Sequence, residues 1–471
     1  MKTKSLMKKF AFLMSVLMVL TSMAVCVSAE EATINTADWS YWDGVSVDVT
    51  PFEGKDPTVD YDPEKGHTTI VIETAAQLAG LAKTVNESGQ TGGKNGAYRF
   101  WPIYITKNID LRGYKFTPIG LGYNTAAFGA CLEGRLNGEE GKAITIKNLY
   151  IEEGSKVPVP GQSATEAINN AFIPTMRAGS LKNLTFDCAK VGHPNSLGDN
   201  AIVVGYASKL MTEISGITVK NSTVITGSGT ASAGGVIAKL KNADASFTTL
   251  KDIHAENLNF VTRVSEDGLY SVERKVGGIV GLWEGANPLT FENCSYSGKI
   301  MALDTWTTIE ADMYAGGFLG DTKGVKALTF KNCTYSGELA YAGADREAPI
   351  SAFVGRHEGG NVTIEDCRVN GTVDALIGTD GKMVVTITNT TSANELAAVK
   401  GGTGNEVTGA VVVDEPVVED PTEPPVVEDP TEPPVVEDPT EPSVDEPVEE
   451  VGFFQAIINA IIAFFKGLFG L

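Results

Sequence analysis

An eight-residue phrase recurs eight times along the chain: apolar, variable, mostly apolar, variable, Asn, two variable residues, apolar. Its fifth position holds Asn148, Asn183, Asn221, Asn257, Asn293, Asn332, Asp366 and Asn389, so successive copies lie 35, 38, 36, 36, 39, 34 and 23 residues apart. Such a period marks a solenoid, whose repeats bury their apolar faces against their neighbours. Ile144-Thr-Ile-Lys-Asn148, Ile217-Thr-Val-Lys-Asn221, Leu289-Thr-Phe-Glu-Asn293, Leu328-Thr-Phe-Lys-Asn332 and Val385-Thr-Ile-Thr-Asn389 alternate apolar with polar and favour β-branched residues. That pattern predicts strands with one buried face and excludes helical repeats.

Asn tolerates the left-handed backbone conformation and so turns a corner at the end of each strand. Corners stacked about 4.8 Å apart predict a ladder in which each side-chain amide bonds to the next. Upstream of the phrase, small residues precede an apolar run in Gly234-Gly-Val-Ile, Gly277-Gly-Ile-Val-Gly281, Gly316-Gly-Phe-Leu-Gly320 and Ser351-Ala-Phe-Val-Gly355. Each period therefore holds at least two strands, with room for a short third, and is too short for an independent immunoglobulin-like sandwich of roughly 100 residues. The expected fold is all-β: a right-handed parallel β-helix of about eight coils, a rod of roughly 40 Å. Ile151, Phe186, Val224, Phe260, Tyr296, Tyr335 and Val369 share one phrase position and read as an inward-facing core stack.

The ends of the chain differ in kind. Lys2, Lys4, Lys8 and Lys9, the apolar run Phe10 to Leu20 and Val27-Ser28-Ala29 compose a secretory signal over 1–29; a lipidated Cys26 is the rival reading, with Val25 a poor fit before it. Removing those four lysines takes the net charge from −22 to −26, which disfavours nucleic acid as a partner. Residues 30–122 read as an N-terminal segment and solenoid cap, and 123–400 as the β-solenoid repeats. Residues 401–450 read as an acidic Pro-rich linker, built around three copies of a Val-Val-Glu-Asp-Pro-Thr-Glu-Pro-Pro unit. Residues 414–450 contain fifteen acids and no base, a composition for a disordered, extended stalk of about 100 Å. In 451–471, Phe and Ile pairs at helical spacing leave Gln455, Asn459, Ala463 and Lys466 as a narrow polar stripe. This apolar helix is expected to contact a membrane or envelope, with self-association the alternative.

The stretch Ile72-Glu-Thr-Ala-Ala-Gln-Leu-Ala-Gly-Leu-Ala-Lys-Thr-Val-Asn86, then Ile105-Thr-Lys-Asn-Ile-Asp-Leu-Arg-Gly113, Phe116-Thr-Pro-Ile-Gly120 and Ile144-Thr-Ile-Lys-Asn-Leu149, resembles the opening of GLUG-type β-helical surface proteins of Gram-positive gut bacteria. The resemblance covers roughly residues 40–400 and implies a secreted, adhesin-like surface protein; no cofactor is expected. It departs from the pattern in lacking a sortase signal near the C-terminus and in the Asn-Cys of the phrases after residue 280. Independently, Thr74 with Gln77 forms a capping-box pattern, and Leu78, Leu81, Ala82 and Val85 line one face of a helix beginning there. That helix is expected to plug the first coil, whose edge would otherwise invite association.

Chemistry is sparse. His67, His193, His254 and His357 fall in unrelated contexts, show no pattern of nucleophilic catalysis or metal binding, and read as surface residues. With Cys26 in the signal, five cysteines remain. Cys294, Cys333 and Cys367 each follow the Asn or Asp of the phrase and are expected in one column, as small apolar residues, a vertical disulfide or a reactive site. The sequons at Asn183, Asn221, Asn293, Asn332, Asn361 and Asn389 are by-products of the phrase.

The candidate surface comes from three loops at equivalent places on consecutive coils. They run from Val261 to Lys275, with Glu266, Asp267 and Tyr270; from Met301 to Tyr314, with Asp304, Trp306, Glu310 and Asp312; and from Tyr341 to Pro349, with Asp345, Arg346 and Glu347. Tyr270, Asp304, Trp306, Tyr341, Asp345 and Arg346 are the candidate ligand-binding residues, because aromatic and Arg anchors dominate recognition surfaces. Plain solvated loops, a Ca²⁺ site and paired acids for glycosidic cleavage are the other readings. The expected function is non-enzymatic adhesion to a host glycoprotein such as mucin or a matrix component, to immunoglobulin, or to a surface polysaccharide. The alternatives are a polysaccharide lyase or glycoside hydrolase and a passive structural component.

Overall fold

The computed structural model describes residues 48–51, 68–88 and, within 98–413, all but residues 114, 122–126, 152–168, 194–195, 197, 228–229, 242–248, 263–273, 304–312 and 343–349. The described strands join one sheet. Asp48–Pro51 runs antiparallel to Thr68–Ile72, and the strands that follow pair in parallel, each with a strand one period away. The protein is therefore all-β and solenoid-like, as the 35-residue spacing predicts. Strands extend beyond 123–400 on both sides: Thr68–Ile72, Pro102–Ile105 and Ile109–Asp110 precede it, and Glu406–Thr408 and Val411–Val413 follow it. Within 401–413, the first part of the stretch whose composition reads as a linker, Glu406–Thr408 and Val411–Val413 pair with the preceding strands. The signal, the acidic repeats and 451–471 lie outside the described residues.

Alternation along the phrase becomes alternation of burial. In Met383–Thr388 and Leu289–Glu292, successive side chains point inward and outward, the period expected of a pleated strand. Identical inward residues stack rung upon rung. Phe291 and Phe330 lie 5.0 Å apart at 12°, Phe318 and Phe353 5.2 Å at 22°, and Tyr296 and Tyr335 6.0 Å at 24°. On the outer face, Lys251 meets Glu292 at 3.0 Å, and Lys331 meets Glu365 at 3.7 Å, so charge alternates between rungs.

The helix Ala75–Ser88 opens on a reciprocal cap. Gln77 N–H donates to Thr74 Oγ1 at 3.2 Å, while Gln77 Oε1 accepts from the N–H groups of Thr74 at 3.1 Å and Glu73 at 2.7 Å. Leu78, Leu81, Ala82 and Val85 are buried in the main core. Asn86 ties the helix to the next segment: its Nδ2 donates to Pro118 O at 2.9 Å, and its Oδ1 accepts from Gly120 N at 2.8 Å.

All eight phrase residues have left-handed backbones, with φ between 48° and 56°. They do not form one column. The flanking strand pairs align Asn183 with Gly216, Asp252, Asn293, Asn332, Asp366 and Asn389 in turn. A second column, five residues further on, aligns Asn148 with Cys188, Asn221 and Asn257. Gly216, Asp252 and Cys188 also have positive φ, at 61°, 54° and 56°, so every member of both columns turns a corner in the same way. Amides bridge rungs within each column: Asn293 Nδ2 donates to Asp252 Oδ1 at 2.5 Å, Asn332 to Asn293 at 3.2 Å, Asn389 to Asp366 at 2.7 Å and Asn257 to Asn221 at 3.1 Å. Asn148 and Asn221 reach instead to Asp110 Oδ1 at 2.7 Å and Asp187 Oδ1 at 3.0 Å. The inward column divides likewise: Phe186, Tyr296, Tyr335 and Val369 belong to one stack, and Ile151, Val224 and Phe260 to another.

Candidate binding surface

The strands that lead into the three candidate loops are stacked in register. Val261 pairs with Met301, Met301 with Ala340, and Leu303 with Ala342. The strands that follow the loops are stacked too, Arg274 with Met313 and Ala315 with Ile350. Loops 263–273, 304–312 and 343–349 are thus rooted on consecutive rungs of one flank. Tyr270, Asp304, Trp306, Asp345 and Arg346 lie within them, outside the described residues. Tyr341 sits on the strand Glu338–Ala342, opposite Ala302.

At the roots stands a charged group absent from the sequence-based candidates. The chain bends after Gly277-Gly278 and Gly316-Gly317, whereas Ile350–His357 is one continuous strand; Leu282, Asp321 and Arg356 follow Gly281, Gly320 and Gly355 and pair in register. Opposite charges one rung apart form a fork. Arg356 Nε donates to Asp321 Oδ1 at 2.9 Å and its Nη2 to Oδ2 at 2.6 Å. The Arg356 guanidinium also lies 3.7 Å from the ring centre of Tyr314, the residue that resumes the chain two positions after loop 304–312. The Asp321 side chain is 3% exposed and that of Arg356 16%. Burial pushes the Asp321 carboxyl above its ordinary range, against the opposing pull of Arg356 and Lys275. The group is rigid, because a buried bidentate pair tolerates little displacement. The equivalence of Gly320-Asp321 and Gly355-Arg356 was the available sequence signal, visible only once the rungs are aligned.

The inward column beside this pair changes from apolar to polar along the sheet. Trp283, Thr322, His357 and Thr379 share one inward column. His357 is not a surface residue: it is fully buried, and its Nδ1 lies 2.7 Å from Thr322 Oγ1. Burial lowers its pKa to about 4, against the attraction of Asp380. His254 is partly buried, with Nδ1 2.9 Å from Ser295 Oγ.

Cys294, Cys333 and Cys367 stack in adjacent rungs as buried free thiols. Each Sγ approaches backbone carbonyls at its corner: Cys294 reaches Glu292 O at 3.3 Å, Cys333 reaches Lys331 O at 3.3 Å, and Cys367 reaches Glu365 O at 3.2 Å. Thiol contacts within the stack and burial push the Cys333 and Cys367 thiols up, which disfavours their thiolate forms. Among the described residues, no group of three or more His, Cys, Asp or Glu is placed to hold a metal ion, and no helix is long and apolar enough to cross a membrane. Compared with family models, curated proteins and solved structures, the chain has no match.

Proposed function

We propose that the chain is a secreted, cell-surface-associated, adhesin-like binding protein that recognises a host macromolecule such as immunoglobulin, mucin or a matrix glycoprotein. In this reading the parallel sheet is a right-handed β-helix of about eight coils, with the helix Ala75–Ser88 as its cap. The segment 451–471 attaches the chain to a membrane or envelope. The observation that carries the reading is the rooting of three loops on consecutive rungs of one flank, beside the Arg356–Asp321 fork. A rigid repeat scaffold presenting clustered variable loops is a recurrent way of building a recognition surface.

The test is capture by the full chain from mucus, serum and extracellular-matrix extracts, with retained molecules identified by mass spectrometry. Saturable enrichment of one class supports the reading. New reducing or unsaturated ends released from a polysaccharide panel, and lost on substitution of Asp304, Asp312 or Asp345, contradict it in favour of an enzyme.

A further inference from the structure

Three consecutive corners are each followed by cysteine, and the register sets those cysteines directly above one another. Glu292 pairs with Lys331 and Ser295 with Thr334, the same offset on either side of Cys294 and Cys333. Lys331 pairs with Glu365 and Thr334 with Arg368, again one offset on either side of Cys333 and Cys367. The backbone ladder closes at the column itself: Thr334 N–H donates to Cys294 O and Arg368 N–H to Cys333 O, each at 2.9 Å. Sulfur also meets sulfur. The Cys333 thiol contacts those of both Cys294 and Cys367, and Cys333 N–H donates to Cys367 Sγ at 3.4 Å. Rungs about 4.8 Å apart fall inside the roughly 4.4–6.8 Å between Cα atoms that a disulfide spans. The other two described cysteines have no such neighbour, since Cys131 lies between Pro102 and Ser180, and Cys188 between Asn148 and Asn221.

We propose that Cys333 forms a cross-rung disulfide with one of its two neighbours when the chain folds in the presence of a disulfide oxidant, so that the column holds one bond and one thiol. Cys294 and Cys367 stand two rungs, about 9.6 Å, apart, beyond the reach of a disulfide, and Cys333 can bond to only one of them. In the reaction the thiolate of one cysteine attacks the oxidant, breaking its S–S bond and expelling one thiolate; the thiolate of the second then displaces the oxidant's other sulfur. The protein gives up two electrons and two protons, and the oxidant leaves as two thiols. The exchange belongs to the open chain, because burial disfavours the attacking thiolate once the rungs close.

Peptide mapping of the full chain tests this. The reduced, unfolded chain is refolded with a mixture of reduced and oxidised glutathione, its remaining thiols are alkylated, and it is cleaved after Lys and Arg, which places Cys294, Cys333 and Cys367 in peptides 276–299, 332–346 and 357–368. Mass spectrometry is expected to find 332–346 linked to 276–299 or to 357–368 in most molecules, two hydrogens lighter than the separate peptides, with the third cysteine alkylated. Cys294→Ala should carry only the link between 332–346 and 357–368, and Cys333→Ala neither link. All three peptides alkylated in the refolded wild type, a main link between 276–299 and 357–368, or main links made by Cys131 or Cys188 would overturn the proposal without recourse to a variant.

Discussion

The ring of Tyr335 occupies the place where a side chain on Gly317 would stand: a Cβ there would overlap Cδ2 and Cε2 of the tyrosine and the carbonyl of Ala352. Gly278 and Tyr296 repeat the relationship one rung earlier. One rung later both partners change together, with Val369 in the tyrosine column and Ala352 in the glycine column. In these three rungs a large residue is paired with the smallest and a middle-sized one with the next. Gly317→Ala is expected to destabilise the protein by about 2–3 kcal/mol through overpacking. Adding Tyr335→Val should restore part of that loss, as read by urea denaturation of the single and double variants.

Asn332 has φ 51° and donates Nδ2 to Asn293 Oδ1 at 3.2 Å. Asn332→Ala loses the bridge and forces alanine into the left-handed region, for an expected loss of about 2 kcal/mol. Asn332→Gly loses the bridge alone and should be the milder change. Equal losses in urea melts would show that the backbone conformation is not what Asn supplies.

The two columns explain how much of the fold was legible. In the middle rungs two corners stand five residues apart, as Asn183 and Cys188, Gly216 and Asn221, and Asp252 and Asn257. Reading along the sequence selects whichever corner carries Asn, and so slides between columns at Asn183, Asn221 and Asn293. Gly, Asp and Cys at the remaining corners carry no phrase that marks them. Strand existence, period and inward burial were legible because alternation is a local property. The Arg356–Asp321 fork and the buried His357 were not, because they depend on which rung lies beside which.

His357 contributes a defined pH dependence. Its folded pKa is depressed to about 4 from an ordinary 6.5, so its contribution is complete above about pH 6.5 and is lost as pH falls toward 4, while the unfolded chain takes up the proton first. The full shift corresponds to about 3 kcal/mol. The stability difference between pH 7 and pH 4.5 should be smaller in His357→Asn than in the wild type. An unchanged difference would assign acid sensitivity to other groups.

Arg356→Met would leave the Asp321 carboxylate buried without its forked partner. A loss of about 3–5 kcal/mol is expected at neutral pH. Asp321→Asn in the same chain should recover part of it by removing the stranded charge, and a denaturation cycle over the four proteins measures the coupling. Additive losses would contradict a direct role for the fork.

The central claim is that the loop flank binds. Its most direct measurement is saturation binding of immobilised mucin, immunoglobulin and matrix glycoprotein by the wild-type chain and by a chain whose residues 304–312 are replaced with a Gly-Ser linker of equal length. The account predicts saturable binding of one class that is lost on replacement while circular dichroism and thermal stability are kept. Binding that survives the replacement, or no binding to any class, would contradict it.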